Sequence, residues 1–176
     1  MPPALGLTAI ACPGHCQSDV VYVGADYAVT GDTLLHNIFQ TPLLDIDLES
    51  GGRFSNYRAY CRSVVRLASL QGKVALPGHR QVIDDVREII RLYVGKLLKR
   101  VELLQREKES SVARLLDRLA GRGKTDVFST FLKASEIVFM QDLLDEPARL
   151  KEALAQIGLF DEVATSYQRV SAPHGR

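Results

Sequence analysis

Two hydrophobic patterns divide the chain. Up to about residue 80, apolar residues come in short runs bounded by turn formers, which is how strands read. Residues 7–11 predict a strand that ends at Cys12-Pro-Gly-His-Cys-Gln-Ser-Asp19, where Pro13 and Gly14 force the chain out of regular structure. Residues 20–23 predict a second strand, Gly24-Ala-Asp26 a turn, and residues 27–30 a third strand, together a small meander. Residues 33–54, with Pro42, Gly51 and Gly52, read as a long irregular connection of the kind that more often carries function than fold.

The period then changes. Ser55 stands as the N-cap of a helix to about Gln71: Tyr57, Tyr60, Cys61, Val64, Val65, Leu67 and Ala68 recur at helical spacing, while Arg58, Arg62 and Arg66 take the other face. Gly72 ends it, and residues 73–76 predict a short buried strand delivering the chain into Pro77-Gly-His-Arg80. Strand, helix, strand is the order of an α/β layered domain.

From Asp84 onward the pattern predicts only helices. Asp84 or Asp85 can cap a helix to about Lys108, in which Val86, Ile89, Ile90, Tyr93, Val94, Leu97, Leu98, Val101 and Leu104 make one apolar stripe. Gly95 within it suggests a close packing contact. Ser110 or Ser111 opens another helix through Leu119, stopped by Gly121-Arg-Gly123, and Thr125 or Asp126 opens a third carrying Phe128, Phe131, Leu132, Ile137, Val138 and Met140. Pro147 sits at the start of a fourth, where proline is tolerated; a fifth follows Gly158, and residues 171–176 read as a frayed end.

With 176 residues, 46% of them hydrophobic and 24% charged, the chain reads as a globular domain, or a domain plus an appendage, and not as a disordered tail. A formal net charge of +1 removes the general electrostatic reason to bind nucleic acid or an anionic membrane. No run approaches the ~20 apolar residues of a membrane-spanning helix. The first residues lack the basic and apolar regions of a secretory signal, so the expected location is cytoplasmic. Three cysteines, Cys12, Cys16 and Cys61, are too few and odd in number for a disulfide framework; they read as packed free thiols, and the C-x3-C pair lacks the second pair of a zinc knuckle.

The chemistry lies in three turns. His15 and His79 each follow Pro-Gly at the end of a predicted strand, and between them Gly31 breaks a strand and presents Asp32 in Thr30-Gly-Asp-Thr33. Imidazoles with a carboxylate suit zinc, manganese or iron, and such a site can make a metal-bound hydroxide for attack on an ester or similar bond. Cys12-Pro-Gly-His-Cys-Gln-Ser-Asp-Val-Val-Tyr22, Thr30-Gly-Asp-Thr-Leu34 and Leu76-Pro-Gly-His79, in this order and with a helix in the right interval, resemble the later motifs of the metallo-β-lactamase-fold hydrolases.

That resemblance, which covers about residues 5–95, implies His15 as a ligand of a first metal, Asp32 as the catalytic carboxylate bridging two metals, and His79 as a ligand of the second. The cofactor implied is zinc, two ions in a complete enzyme, with manganese or iron as alternatives. The reaction implied is hydrolysis of an ester, thioester, lactone or phosphoester of a small-molecule substrate by metal-bound hydroxide. The family's leading His-x-His-x-Asp-His motif has no counterpart here. The fold expected is therefore α/β (α+β): the second half of an αββα sandwich over residues 1–82, followed by an all-α extension over residues 83–176. A truncated gene model, a fragment, one subunit of a split enzyme and a non-catalytic interaction module all remain open. The chain alone is expected to be catalytically weak or dead, to bind metal poorly, and to self-associate through the uncovered face of its sheet.

Other polar features have ordinary readings. His36 reads as a polar loop position, His174 belongs to the terminal tail, and Cys16 has no neighbouring base to make it a nucleophile. Asp45, Asp47 and Glu49 form an acidic edge that solvation explains as well as a ligand would. Lys96, Lys99, Arg100, Arg106, Arg114 and Arg118 interleave with Glu102, Glu107 and Asp117, which is a solvated helix face and makes a nucleic-acid partner the weaker reading.

Overall fold

A computed structural model of the chain describes residues 6–38, 40–107, 111–119 and 126–172. Four strands, β1 (Thr8–Ala11), β2 (Val20–Val23), β3 (Tyr27–Gly31) and β4 (Val74–Pro77), form one sheet in the order β1-β2-β3-β4. The first two pairings are antiparallel and the third is parallel. It follows that β1, β3 and β4 run in the same direction, and their C-terminal ends lie at one edge of the sheet. The expected helices follow as α1 (Asn56–Ala68), α2 (Val86–Arg106), α3 (Val112–Leu119), α4 (Val127–Asp145), α5 (Pro147–Gln156) and α6 (Phe160–Ser171), with α1 between β3 and β4. His174 and the Gly121-Arg-Gly123 stop lie outside the described residues. No helix among those described is long and apolar enough to cross a membrane.

The mixed α/β fold expected from the pattern is present, with differences in detail. Helix α1 stops at Ala68 rather than Gln71, because Ser69, Leu70 and Gln71 donate to carbonyls three residues back and tighten the last turn before Gly72 at φ 86°. Ser55 occupies the N-cap but makes no side-chain cap bond. Asp85 and Asp126 do cap, accepting the backbone N–H of Glu88 and Ser129 at 3.0 and 2.9 Å. Gly95 serves no close contact: a Cβ there would meet nothing within 4 Å. Ile83 exchanges both backbone hydrogen bonds with Ala75 and extends the sheet by one residue before α2 begins.

Strand periodicity sorts the sheet's side chains onto two faces. Val21, Ala28 and Ala75 are fully buried, in one cluster with Tyr57, Tyr60, Val64 and Leu67 of α1 and Ile90, Tyr93, Val94 and Leu97 of α2. The same core runs on into α4, α5 and α6, and α2 packs along α6. Among the described residues the opposite face is left uncovered: Val20, Tyr22, Tyr27, Val29 and Val74 are exposed, with Ala11 facing Val20, Ala9 and Val29 facing Tyr22, and Val74 facing Tyr27 across the strands.

The long connection after β3 is held along much of its length. The Tyr93 hydroxyl takes the Leu35 N–H at 2.8 Å, Lys96 donates to the Asn37 carbonyl at 2.5 Å, and Ser135 accepts from Leu44 at 3.2 Å. Arg53 and Asp142 form a two-bond pair at 2.8 and 2.7 Å. Where α4 meets α5, Arg58 and Arg149 both pair with Glu146 and hold its carboxyl down to about 2.

Candidate metal centre

Each predicted ligand sits just past a strand end at that common edge. Thr33 N–H closes a turn on the Thr30 carbonyl at 3.0 Å, with Gly31 at φ 53° inside it, and the turn presents Asp32. From the neighbouring parallel strand, Gly78 N–H donates to the Gly31 carbonyl at 2.8 Å and brings His79 alongside. His79 Nδ1 lies 3.0 Å from Asp32 Oδ1, with 51% and 42% of the two side chains exposed. A Cβ at position 78 would stand 2.8 Å from Asp32 Oδ1, so a side chain there would push the carboxylate out of its present place.

His15 is held in a different way. Its Nδ1 is 2.6 Å from the Thr41 carbonyl, its own carbonyl accepts from Leu43 N–H at 2.7 Å, and Asn56 of α1 donates its side-chain amide to Gly14 and His15 carbonyls at 3.1 and 3.3 Å. Between the His15 and Asp32 turns lies Gln40, 4% exposed, one arm of whose side-chain amide lies 3.0 Å from the Asp32 carbonyl and also against that of Thr33; with two acceptors facing it, that arm is assigned as the donating nitrogen. The structure thus joins Asp32 to His79 directly and connects the His15 turn to the Asp32 turn through residues 40–43. Among the described residues, no three His, Cys, Asp or Glu side chains are gathered into a group able to hold a metal ion.

Chemically, a half-exposed imidazole and carboxylate in contact, with a second imidazole on the same sheet edge, are nitrogen and oxygen donors of the kind divalent metals take. They fit part of a ligand set; a closed structural zinc site usually takes about four protein ligands. His36 meets the Asn37 amide at 3.1 Å and lies in the loop beyond the pair. Cys16 gives its thiol to Asp19 at 2.7 Å, and burial together with that carboxylate pushes the thiol up, against a nucleophile's need. Asp45 is taken up by Gln17 at 2.7 Å, and Asp47 accepts the Glu49 and Ser50 N–H groups within its own turn. Arg106 pairs with Glu102 at 2.8 Å, Arg118 lies 3.5 Å from Glu107, and Arg100 pairs with Glu136.

Gln40, Thr41, Asn56 and Gly78 were not singled out by sequence pattern. Only Gly78, inside a Pro-Gly-His turn, carried a local signal; the others act on residues far away in the chain.

No protein-family model matches the chain. It is 29% identical over 114 residues to the "Probable metallo-hydrolase YqjP" of Bacillus subtilis (strain 168), a match that takes in 64% of this chain and 33% of that protein. Its fold is similar to that of a metallo-β-lactamase family protein from Thermus thermophilus, with a TM-score of 0.61 and 22% identity over 81% of this chain and 44% of the other. It is also similar to a β-lactamase domain protein from Burkholderia ambifaria, with a TM-score of 0.63 and 19% identity over 81% and 43% of the two chains. The chain therefore spans about a third of its curated relative and under half of each solved structure. Given the sheet with its three turns and the two structural neighbours, the chain has the metallo-β-lactamase fold, and over 114 residues its sequence is similar to that of a metallo-hydrolase.

Proposed function

We propose that this chain is the part of a metal-dependent hydrolase that supplies His15, Asp32 and His79 to a divalent metal centre, with Asp32 as the shared carboxylate. The contact of Asp32 with His79, built on a glycine that leaves room for the carboxylate, is the observation that carries the reading. Zinc suits the donors best, with manganese or iron as alternatives. Bound there, such an ion would supply Lewis acidity toward water and toward the scissile group of an ester, thioester, lactone or phosphoester. The chain's own contribution is to hold an oxygen donor and two imidazoles at one open sheet edge. Further ligands, of the His-x-His-x-Asp-His kind, are needed to complete the centre, so the chain by itself is inactive.

The test is a hydrolysis panel on the full-length form that carries those further ligands. Turnover that a chelator removes and zinc or manganese restores is expected; turnover indifferent to chelation would sink the metal reading. A second reading, an interaction module without catalysis, is favoured by the bare apolar face of the sheet. On either reading that face needs a cover, and in the chain alone the cover is a second copy. Sedimentation of the purified chain is expected to show concentration-dependent association that the double substitution Tyr22→Thr, Val29→Thr weakens, since these two residues face one another at the centre of the patch.

A further inference from the structure

We propose that residues 40–43 are a brace that sets the metal-facing orientation of His15 and Asp32 together, with Gln40 and Thr41 as its positioning residues. The metal-facing consequence rests on the function proposed above; the brace itself rests on hydrogen bonds within the chain.

A carbonyl oxygen can only accept, so the 2.6 Å contact between His15 Nδ1 and the Thr41 carbonyl requires the proton to be on Nδ1. The neutral ring then has its single lone pair on Nε2, the form in which imidazole ligates a metal while its other nitrogen is fixed by a carbonyl. The backbone around that bond is clasped from both sides, by Leu43 N–H on the His15 carbonyl and by Asn56 on the Gly14 and His15 carbonyls. Gly14 is closely packed: a Cβ there would lie 3.3 Å from the Tyr60 Cα and 3.5 Å from the other arm of the Gln40 side-chain amide.

Gln40 does the matching work on the other side. One arm of its buried amide faces two carbonyls, those of Asp32 and Thr33, on the turn that presents the Asp32 carboxylate; only the nitrogen, with its two protons, can serve both acceptors, so that arm is assigned as the nitrogen. The amide that fixes the Asp32 turn and the carbonyl that fixes the His15 ring belong to consecutive residues, Gln40 and Thr41. A displacement of either turn is therefore passed to the other through a single peptide. This is how two ligands on different strands, without touching each other, keep a common geometry.

The experiment uses the 176-residue chain, labelled with nitrogen-15 in histidine, and reads the His15 tautomer by long-range nitrogen–proton correlation at mildly alkaline pH without metal. A single Nδ1–H form is expected in the unmodified chain; an Nε2–H form would overturn the proposal with no variant needed. Gln40→Met keeps the volume and removes both donors, and Gln40→Glu sets an acceptor against two carbonyls. Both are expected to give mixed His15 tautomers and, in the full-length form that carries the further ligands, with zinc alone as the probe in calorimetry, to weaken binding by about 10–100-fold. An unchanged tautomer in a folded Gln40→Met chain, together with unchanged zinc affinity in the full-length Gln40→Met form, would overturn the role of Gln40. A full-length form that takes up no zinc would overturn the metal reading instead, leaving the ring measurement to decide the brace.

Discussion

Gly78→Ala is expected to disable the candidate centre although it removes no ligand. The added methyl carbon would stand 2.8 Å from Asp32 Oδ1 and 3.4 Å from the Gly31 carbonyl carbon, and the bond from Gly78 N–H to the Gly31 carbonyl leaves the turn little freedom to retreat. Gly78 is absent from the left-handed glycines, so conformational strain is not the issue; space is. The carboxylate is therefore expected to swing away from His79. Zinc affinity, and hydrolysis by the full-length form, are expected to fall by about 10–100-fold, as they do when the surroundings of a metal ligand are disturbed. Asp32→Ala, which removes the oxygen donor itself, is expected to lose more, with turnover falling to background. Thermal unfolding of both variants without metal should stay close to that of the unmodified chain, since the site lies at an open edge. A Gly78→Ala protein that binds zinc and turns over normally would show that the Asp32–His79 contact is not the centre.

The second large effect concerns stability. Tyr57 is fully buried on α1, donates its hydroxyl to the Glu146 carbonyl at 3.0 Å and accepts the Leu150 N–H at 3.2 Å, with its ring edge-on to Phe139 at 5.6 Å. Helix α5 has no side-chain cap of its own, so this phenol serves as a cap delivered from another helix. Burial pushes its ionisation up, which keeps the proton in place for the Glu146 carbonyl. Tyr57→Phe is expected to cost about 1–3 kcal/mol for the groups left unpaired. Tyr57→Ala, which also opens a cavity beneath Phe139, is expected to cost about 3–5 kcal/mol. Denaturant unfolding measures both, and a Tyr57→Phe midpoint equal to that of the unmodified chain would show that water replaces the hydroxyl.

What the sequence made legible is what local chemistry decides. Pro-Gly and Gly-Asp turns at the ends of apolar runs located all three candidate ligands, and helical spacing located α2 with every residue of its stripe buried. What stayed hidden depends on distant partners. Gln40 and Thr41 lie in a stretch with no periodicity, and their roles come from turns that the fold brings beside them, His15 being 26 residues from Thr41. Ser55 has the composition of a cap and does not act as one, while Tyr57, which no capping rule would choose, caps α5. Gly95 looked like a packing glycine because the stripe around it is continuous, yet it lies on the open side of the helix.

The parallel pairing of β3 with β4 bears on the order in which the molecule assembles. Antiparallel β1, β2 and β3 can form by short-range hairpin closure, but β4 reaches β3 only after the connection through α1 has folded back across residues 32–73. Long-range pairings of this kind are slow to form because chain entropy is lost before the contacts repay it. Asp32 and His79 belong to opposite ends of that crossover. Their meeting is therefore a late folding event, and an ion gripping both would act as a clasp on the crossover, favouring the docked β4 by mass action.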